Sequence, residues 1–383
     1  MKKLRQLSVL VKPTHRCNLD CQYCYDRAFK INDNMSLEMV EEIAQFVSRS
    51  CDNILWIWHG GEPLLMGIGF YKEAKKILDK YGITRISMQS NGVLLNDEYI
   101  KFFNENNWNI SFSYDCSSHD TNRGKGDIVL QNMKRYYEQT GRKLSIIKVV
   151  DSNNYMDMLK DYDFLKEQEW FYSISINRVF NSPSARYIND DIENAYMVEY
   201  GKLFDKWMND ENPIHIRQFD EMLPFILNDC GFVCNQYGRC YETWLCFNPI
   251  GDIYPCDRWF KPQYKYGNIK EYNDIFSLRE NSVSFNNVKY HTHNREKYCK
   301  EIQKCKVFKW CNGGCTANSL YNEDPNLPDE HFCRIVKKEL SFILNYLMNC
   351  DKDKIKNPNV KLFLNEIGFR NINLIKEVVN DER

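Results

Sequence analysis

Three thiols lie within eight residues, in the run Cys17-Asn-Leu-Asp-Cys21-Gln-Tyr-Cys24. Thiolates are soft ligands, and three in one short loop suit one side of an iron–sulfur cube or a zinc ion. On a four-iron cube three ligands leave one iron open, and an open metal position is what catalysis requires. On spacing alone, a zinc knuckle completed by a distant residue, or thiols that are merely buried, is an equal reading. A second field follows much later: Cys234-x5-Cys240-x15-Cys256, then Cys299-x5-Cys305-x5-Cys311-x3-Cys315, and finally Cys333.

The chain has 16 cysteines in 383 residues. An even count admits a disulfide framework, but such frameworks belong to small secreted domains that cannot build a core. This chain is long enough for a sizeable core and two domains. Its start, MKKLRQLSVLVKP, imitates a signal peptide only briefly, because Arg5, Gln6 and Lys12 break the apolar stretch and no small-residue cleavage site follows. Reduced thiolates acting as metal ligands in a cytoplasmic protein are therefore expected. The formal net charge of −1 offers no general attraction for nucleic acid or an anionic membrane. No apolar run reaches transmembrane length.

Period-2 runs predict strands at 7–12, 54–59, 85–90, 109–114, 144–149 and 172–177. Period-3.6 patterns predict helices at 36–49, 70–81, 97–107, 126–141 and 155–168, with Ser36 and either Asn96 or Asp97 as N-caps. Six strands interleaved with helices imply an α/β fold with a parallel sheet, curved into an open or closed barrel whose chemistry gathers at strand ends. Helix-rich sequence follows at 190–209. A loop-rich cysteine region with many Asn, Gly and Pro (228–335) and a polar, mostly helical tail complete the chain.

The first cysteine cluster, directly after the first strand and with Tyr23 before its third thiol, resembles the signature of the radical S-adenosylmethionine superfamily. Gly60-Gly61-Glu62-Pro63 after the second strand resembles that family's GGEP motif. Gln89-Ser90-Asn91-Gly92 after the third resembles its QTNG segment. Ser113-Tyr114-Asp115, with His119 and Arg123, resembles its SxDG…H…R stretch after the fourth. A lone Gly pair marks an ordinary turn; four motifs at the ends of successive strands carry the resemblance together. It implies a partial (β/α)6 TIM-like barrel over 1–225. It also implies that Cys17, Cys21 and Cys24 hold a [4Fe–4S] cluster whose open iron chelates S-adenosylmethionine. Reductive cleavage would then yield methionine and a 5′-deoxyadenosyl radical that abstracts a substrate hydrogen. By family position Gly60, Gly61 and Glu62 would meet the methionine end. Ser113 and Arg123 would hold ribose and carboxylate, Val179 would touch adenine, and Tyr23 and Gln89 would also belong to the cofactor site. Turn, cap, ion-pair and core roles are the plainer readings of these residues.

The second cysteine field resembles the SPASM extension, which implies a loop-rich domain over 226–345 binding two auxiliary [4Fe–4S] clusters, followed by a helical tail over 346–383. Three clusters in all are expected. By the family's interleaving, Cys234, Cys240, Cys256 and Cys315 hold one auxiliary cluster, and Cys299, Cys305, Cys311 and Cys333 the other. Where the family has CxxC this chain has Cys299-x5-Cys305, with Ile302 at the expected ligand position. Either the longer loop brings Cys299 to the same iron, or this cluster has an open iron or is absent. The spacings also partly resemble zinc ribbons. Cys51, Cys116, Cys230, Cys246 and Cys350 read as buried or incidental thiols, with competition as a ligand the alternative for Cys230.

Nearly the whole chain, to about residue 345, is similar to anaerobic sulfatase-maturing enzymes and to maturases of ribosomally made peptides. The stretch Ile214–Asp220 fits that group. So does Asp257, which the resemblance makes a general base; capping the turn after Cys256 is its plainer role. Trp58-His59-Gly60-Gly61 and Cys116 depart from the sulfatase-maturase wording, which has QGGEP and a Gly after the Asp. Those departures favour side-chain or backbone crosslinking of a ribosomal peptide over formylglycine formation from Cys or Ser. Strand one begins almost at once, so a leader peptide would need a separate binding protein or the barrel edge. The expected partners are a peptide or protein substrate and an external electron donor of flavodoxin or ferredoxin type. A non-catalytic iron–sulfur carrier or zinc scaffold is the alternative from another class.

Overall fold

The structure, a computed structural model, describes residues 3–28, 32–182, 190–229, 234–258, 261–320 and 322–366. Strands and helices alternate through its first half: β1 (Leu7–Val11), α1 (Leu37–Ser50), β2 (Ile54–Trp58), α2 (Ile68–Lys80), β3 (Arg85–Ser90), α3 (Asp97–Glu105) and β4 (Asn109–Ser113). They continue with a single turn α4 (His119–Asn122), α5 (Gly126–Thr140), β5 (Leu144–Val150), α6 (Met158–Lys166) and β6 (Phe171–Arg178). Ser36 caps α1 by accepting from Met39 N, and Asn96 rather than Asp97 caps α3 by accepting from Tyr99 N.

β1 to β6 pair in chain order, all parallel. Alternation decides which side chains meet the helices. Val9, Trp56, Trp58, Ile86, Met88, Phe112 and Ile146 are buried in one continuous core with Val40, Ile43 and Val47 of α1 and Tyr71 of α2. The intervening positions Ser87, Gln89, Ser111, Ser113 and Ser145 are half-buried on the sheet's other face. Every crossover returns through a helix, so all loops after the strand C-termini open on one rim.

After β6 come α7 (Glu193–Met208), the two-residue strand β7 (His215–Ile216), parallel to β6, and α8 (Arg217–Asn228). The cysteine-rich half then re-enters the sheet. β8 (Trp244–Phe247) lies parallel to β1 on the side opposite β2, and β9 (Asp252–Tyr254) and β10 (Gly267–Asn268) extend it antiparallel. The order is β10-β9-β8-β1-β2-β3-β4-β5-β6-β7, an open curved sheet with β10 and β7 at its edges. Strand pairing thus runs across the boundary expected at 225/226.

The region expected to be loop-rich also holds helices. They are α9 (Ile275–Asn281), the 15-residue α10 (Val283–Lys297), the short α11 (Phe308–Cys311) and α12 (Thr316–Ser319), and α13 (Glu330–Asn349), before α14 (Pro358–Glu366). α10 is rich in Asn, Lys and His, which hides its buried face of Phe285, Val288, Thr292 and Arg295. Their helical spacing was the available signal. No helix of the described residues is long and apolar enough to cross a membrane.

Candidate active site

The cysteine loop after β1 lies over the ends of β2, β3 and β4. Glu62 N donates to Arg16 O (2.8 Å) and Gln22 N to Asn122 O (3.0 Å). Asn91 Nδ2 reaches Asn18 Oδ1 (2.8 Å) and Cys17 Sγ (3.7 Å). The glycines of the turn after β2 permit this closeness. Gly60 and Gly61 have φ of +84° and +52°, and a Cβ on Gly61 would stand 2.4 Å from Arg16 O. The three thiols share one environment. Burial first, then Glu62, Cys21 and Cys24, push the Cys17 thiol up to about 11. Burial and neighbouring acids also raise Cys21 and Cys24.

Glu62 is wholly buried, and burial raises its carboxyl to about 6. It accepts from Leu64 N (2.9 Å), Ser90 Oγ (2.8 Å) and Asn91 N (2.8 Å), which locks the turn after β2 to the end of β3. Glu62→Ala strands three buried donors, at about 1–3 kcal/mol each. We expect a drop of several degrees in the thermal unfolding midpoint, read by circular dichroism, with Ser90→Ala costing much less.

Asp115, after β4, is a second buried hub. Its Oδ2 accepts from Arg123 Nε (3.1 Å) and from the Tyr23 hydroxyl, and its Oδ1 from Val149 N (3.0 Å). Arg123 also lies over the Tyr23 ring at 5.2 Å and places Nη1 3.8 Å from Cys21 Sγ. Arg123 is thus in a buried ion pair that touches the cysteine loop, not a surface one. His119 is lowered to about 4 by burial and then by Arg123, so its neutral ring accepts from Asp115 N at Nδ1 (3.1 Å). Gln89 Nε2 donates to Ser113 Oγ (2.9 Å), joining the ends of β3 and β4. Val179 is buried just past β6, its N–H on Val150 O (2.8 Å). Cys116 takes φ +53°, the left-handed backbone that glycine adopts freely.

Asp257 arrives from the far half of the chain. The Tyr25 hydroxyl donates to its Oδ2, His59 Nε2 stands 3.8 Å from the same oxygen, and Lys12 Nζ donates to its backbone carbonyl (3.1 Å). Lys12 pairs with buried Asp26 (2.6 Å), which also accepts from Gly61 N (3.0 Å) and contacts His15 Nδ1 (3.0 Å). One buried network therefore ties β1, the cysteine loop, the Gly60-Gly61 turn and Asp257 together. Burial pushes the Asp257 carboxyl up, but His59, Lys12 and Tyr25 outweigh it and hold it below the ordinary carboxylate range. Burial lowers His59, against the opposing pull of Asp257.

The later thiols fall into two sets. Cys315 acts electrostatically on Cys234, Cys240 and Cys256, and Cys240 on Cys256. Cys299, Cys305 and Cys333 act on Cys311, and the same four line one cavity. Cys299 is buried on a π-helical turn, Tyr298–Ile302, whose extra residues push Ile302 outward. Each set has cationic neighbours. Arg258 Nη1 lies 3.6 Å from Cys315 Sγ, and the Lys337 charge pulls Cys333 down against its burial. Buried Arg295 is influenced by Cys315, Cys299 and Cys240, and its Nη1 has no hydrogen-bond partner. Among the described residues no three His, Cys, Asp or Glu side chains close on one ion position. Cys51, Cys116 and Cys246 are buried elsewhere and Cys350 is half-buried; Cys230 lies outside the described residues.

The rim thus gathers the three early thiols with Tyr23, Gly60, Gly61, Glu62, Gln89, Ser113, Arg123, Val179 and Asp257. Sequence reasoning missed Tyr25, Lys12 and Asp26, and met His59 only as a departure from a motif. Tyr25 and Asp26 directly follow Cys24, and a lysine ending an apolar strand is a signal for a buried partner.

The Radical SAM superfamily profile matches residues 11–165. The chain is 30% identical over 372 residues to a cysteine-type anaerobic sulfatase-maturating enzyme of Clostridium novyi (strain NT), covering 87% of this chain and 94% of the relative. It is also 30% identical over 353 residues to a serine-type enzyme of that name from Bacteroides thetaiotaomicron, covering 82% and 83% respectively. The solved structure of native anSMEcpe with bound AdoMet superposes with a TM-score of 0.77 at 25% identity, over 90% of this chain and 98% of that one. The chain belongs to the radical S-adenosylmethionine enzymes, among the anaerobic sulfatase-maturating group, and uses S-adenosylmethionine and [4Fe–4S] clusters.

Proposed function

We propose that this enzyme oxidises a cysteine or serine of a sulfatase polypeptide to formylglycine. The carrying observation is Asp257, brought 232 positions along the chain onto Tyr25 and beside His59 at the mouth of the cysteine loop. Cys17, Cys21 and Cys24 hold the cluster that binds S-adenosylmethionine. Cys234, Cys240, Cys256 and Cys315 hold one auxiliary cluster, and Cys299, Cys305, Cys311 and Cys333 the other. All-thiol sets of three and four suit iron–sulfur ligation, and the unpartnered Arg295 Nη1 suits an anionic cluster beside it.

Bound and reduced, cluster and cosubstrate supply a carbon radical able to take a hydrogen from the substrate's β-carbon. The protein's own part is positional and protic. Gly60 and Gly61 would let backbone approach the methionine end, Ser113 and Arg123 would hold ribose and carboxylate with Gln89 bonded to Ser113, and Val179 would touch adenine. Glu62, occupied by three donors, holds the turn in place. Tyr25 and His59 both address Oδ2 of Asp257, so the substrate's thiol or hydroxyl proton goes to Oδ1. Asp257 is ionised at neutral pH and ready to take it.

The relatives support formylglycine formation over the peptide crosslinking expected from two motif departures. Both departures have local accounts: Cys116 takes up the backbone conformation of a glycine, and His59 stands beside Asp257. A reducing cytoplasm suits 16 cysteines, all 15 of those described being free thiols. The test is anaerobic incubation of reconstituted enzyme, reductant and S-adenosylmethionine with a peptide spanning a sulfatase's active-site cysteine or serine. An aldehyde trapped by a hydrazide and located by mass spectrometry is expected. Loss of two hydrogens with a new crosslink and no aldehyde would overturn the reading.

A further inference from the structure

The chain is nearly neutral, yet from Lys289 to Lys309 six lysines and Arg295 face only two glutamates. All six lysines are exposed, while Arg295 is buried. Glu296 is already held by Arg239 through two hydrogen bonds of 2.9 and 2.8 Å. Lys309 pairs with Asp229, but Lys297, Lys300 and Lys304 form no ion pair among the described residues. Inside this cationic run sit Cys299 and Cys305. Cys305 and Cys333 are only half-buried, so this thiol set lies near the surface. Lys300 and Ile302 belong to the π-helical turn that carries Cys299, and Ile302 is 68% exposed. Beside them opens a cleft of about 510 Å³, lined by Tyr237, Arg239, Lys297, Lys300 and Phe308 among others.

We infer that this face docks a small acidic one-electron carrier protein over the cluster held by Cys299, Cys305, Cys311 and Cys333. The inference rests on the cluster assignment of the proposed function and adds the partner and its place. Each turnover draws one electron into the cluster of Cys17, Cys21 and Cys24 for S-adenosylmethionine cleavage and frees one from the substrate, and a carrier in its reduced and oxidised forms serves both exchanges. Turning the β-carbon into an aldehyde-level carbon removes two electrons and two protons, and where the residue is a cysteine water then replaces the sulfur, which leaves as hydrogen sulfide. One electron and one proton leave together as the abstracted hydrogen atom, and the other proton goes to Asp257. The remaining electron passes to the oxidised carrier, which is reduced by one. Exposed lysines flanking an exposed apolar side chain along the chain give fast, salt-sensitive encounter and an apolar seat at the point of transfer. A nucleic acid would meet the same charge, but the cationic run is centred on the proposed cluster ligands and on an apolar side chain, which a phosphate backbone does not need.

The probes are a flavodoxin and a plant-type ferredoxin, both acidic, with heparin and a single-stranded RNA as competing polyanions. Surface plasmon resonance on the reconstituted full chain should show carrier binding that weakens with salt. The triple variant Lys297→Glu/Lys300→Glu/Lys304→Glu should lose about tenfold or more of the association rate. Iron content and dithionite-driven S-adenosylmethionine cleavage are measured on the same samples. They should be unchanged, because the three side chains are exposed and none of them is a cluster ligand. If the triple variant loses iron, the single variants Lys297→Glu and Lys300→Glu replace it, each expected to slow association by a smaller factor. Full iron content with carrier binding indifferent to charge reversal would overturn the docking surface and leave the proposed function standing. Wild-type protein that takes up no auxiliary iron would overturn the cluster assignment itself. Preferential binding of RNA or heparin over both carriers would also overturn the inference.

Discussion

Asp257→Asn should leave S-adenosylmethionine cleavage running while formylglycine formation falls by about 10²–10⁴-fold, the usual worth of a positioned general base. Asparagine keeps an oxygen for the Tyr25 hydroxyl and the same shape beside Cys256, so a purely capping role predicts little change. A base role predicts uncoupling, with 5′-deoxyadenosine accumulating without a matching amount of aldehyde. Quantifying both products by liquid chromatography in one reaction separates the two. Tyr25→Phe removes one hydrogen bond from Oδ2 and should reduce aldehyde formation less severely. Equal loss of both products in Asp257→Asn, with normal iron content, would remove Asp257 from the chemistry.

Cys24→Ala should have the other large effect, at the opposite end of the mechanism. With only Cys17 and Cys21 left in the loop, the site-differentiated cluster loses a corner. Reconstituted protein should then hold about eight irons instead of about twelve, counting four per cluster. 5′-Deoxyadenosine should fall below detection. The auxiliary sets lie on other elements, so their absorbance and paramagnetic resonance signals should persist. Twelve irons in the variant would mean that another thiol substitutes for Cys24; loss of all iron would mean that the three sets do not assemble independently.

Much of the barrel was legible beforehand because its signals are local. Alternation over five to eight residues marks a strand with one face under helices, and β3 begins and ends where the pattern does, at Arg85 and Ser90. The N-caps at Ser36 and Asn96 were readable for the same reason, since a cap concerns a side chain and an N–H three residues on. β8, β9 and β10 were not readable. They are two to four residues long and depend on β1 offering an unpaired edge. α10 escaped because its exposed Asn, Lys and His outnumber a thin buried stripe.

The order of thiols and glycine turns along the chain was a property of the sequence alone. It placed a cluster-binding loop after the first strand and family motifs after the next three. The fold decided what those residues face. Glu62 became a buried acceptor for three donors, and Arg123 a partner of Asp115 against Cys21. β8 closing on β1 carried Asp257 to Tyr25 and His59. The reason is physical: periodicity and capping are set by neighbours a few residues away. Burial, ion pairing and the meeting of side chains hundreds of positions apart exist only once the sheet has joined both halves of the chain.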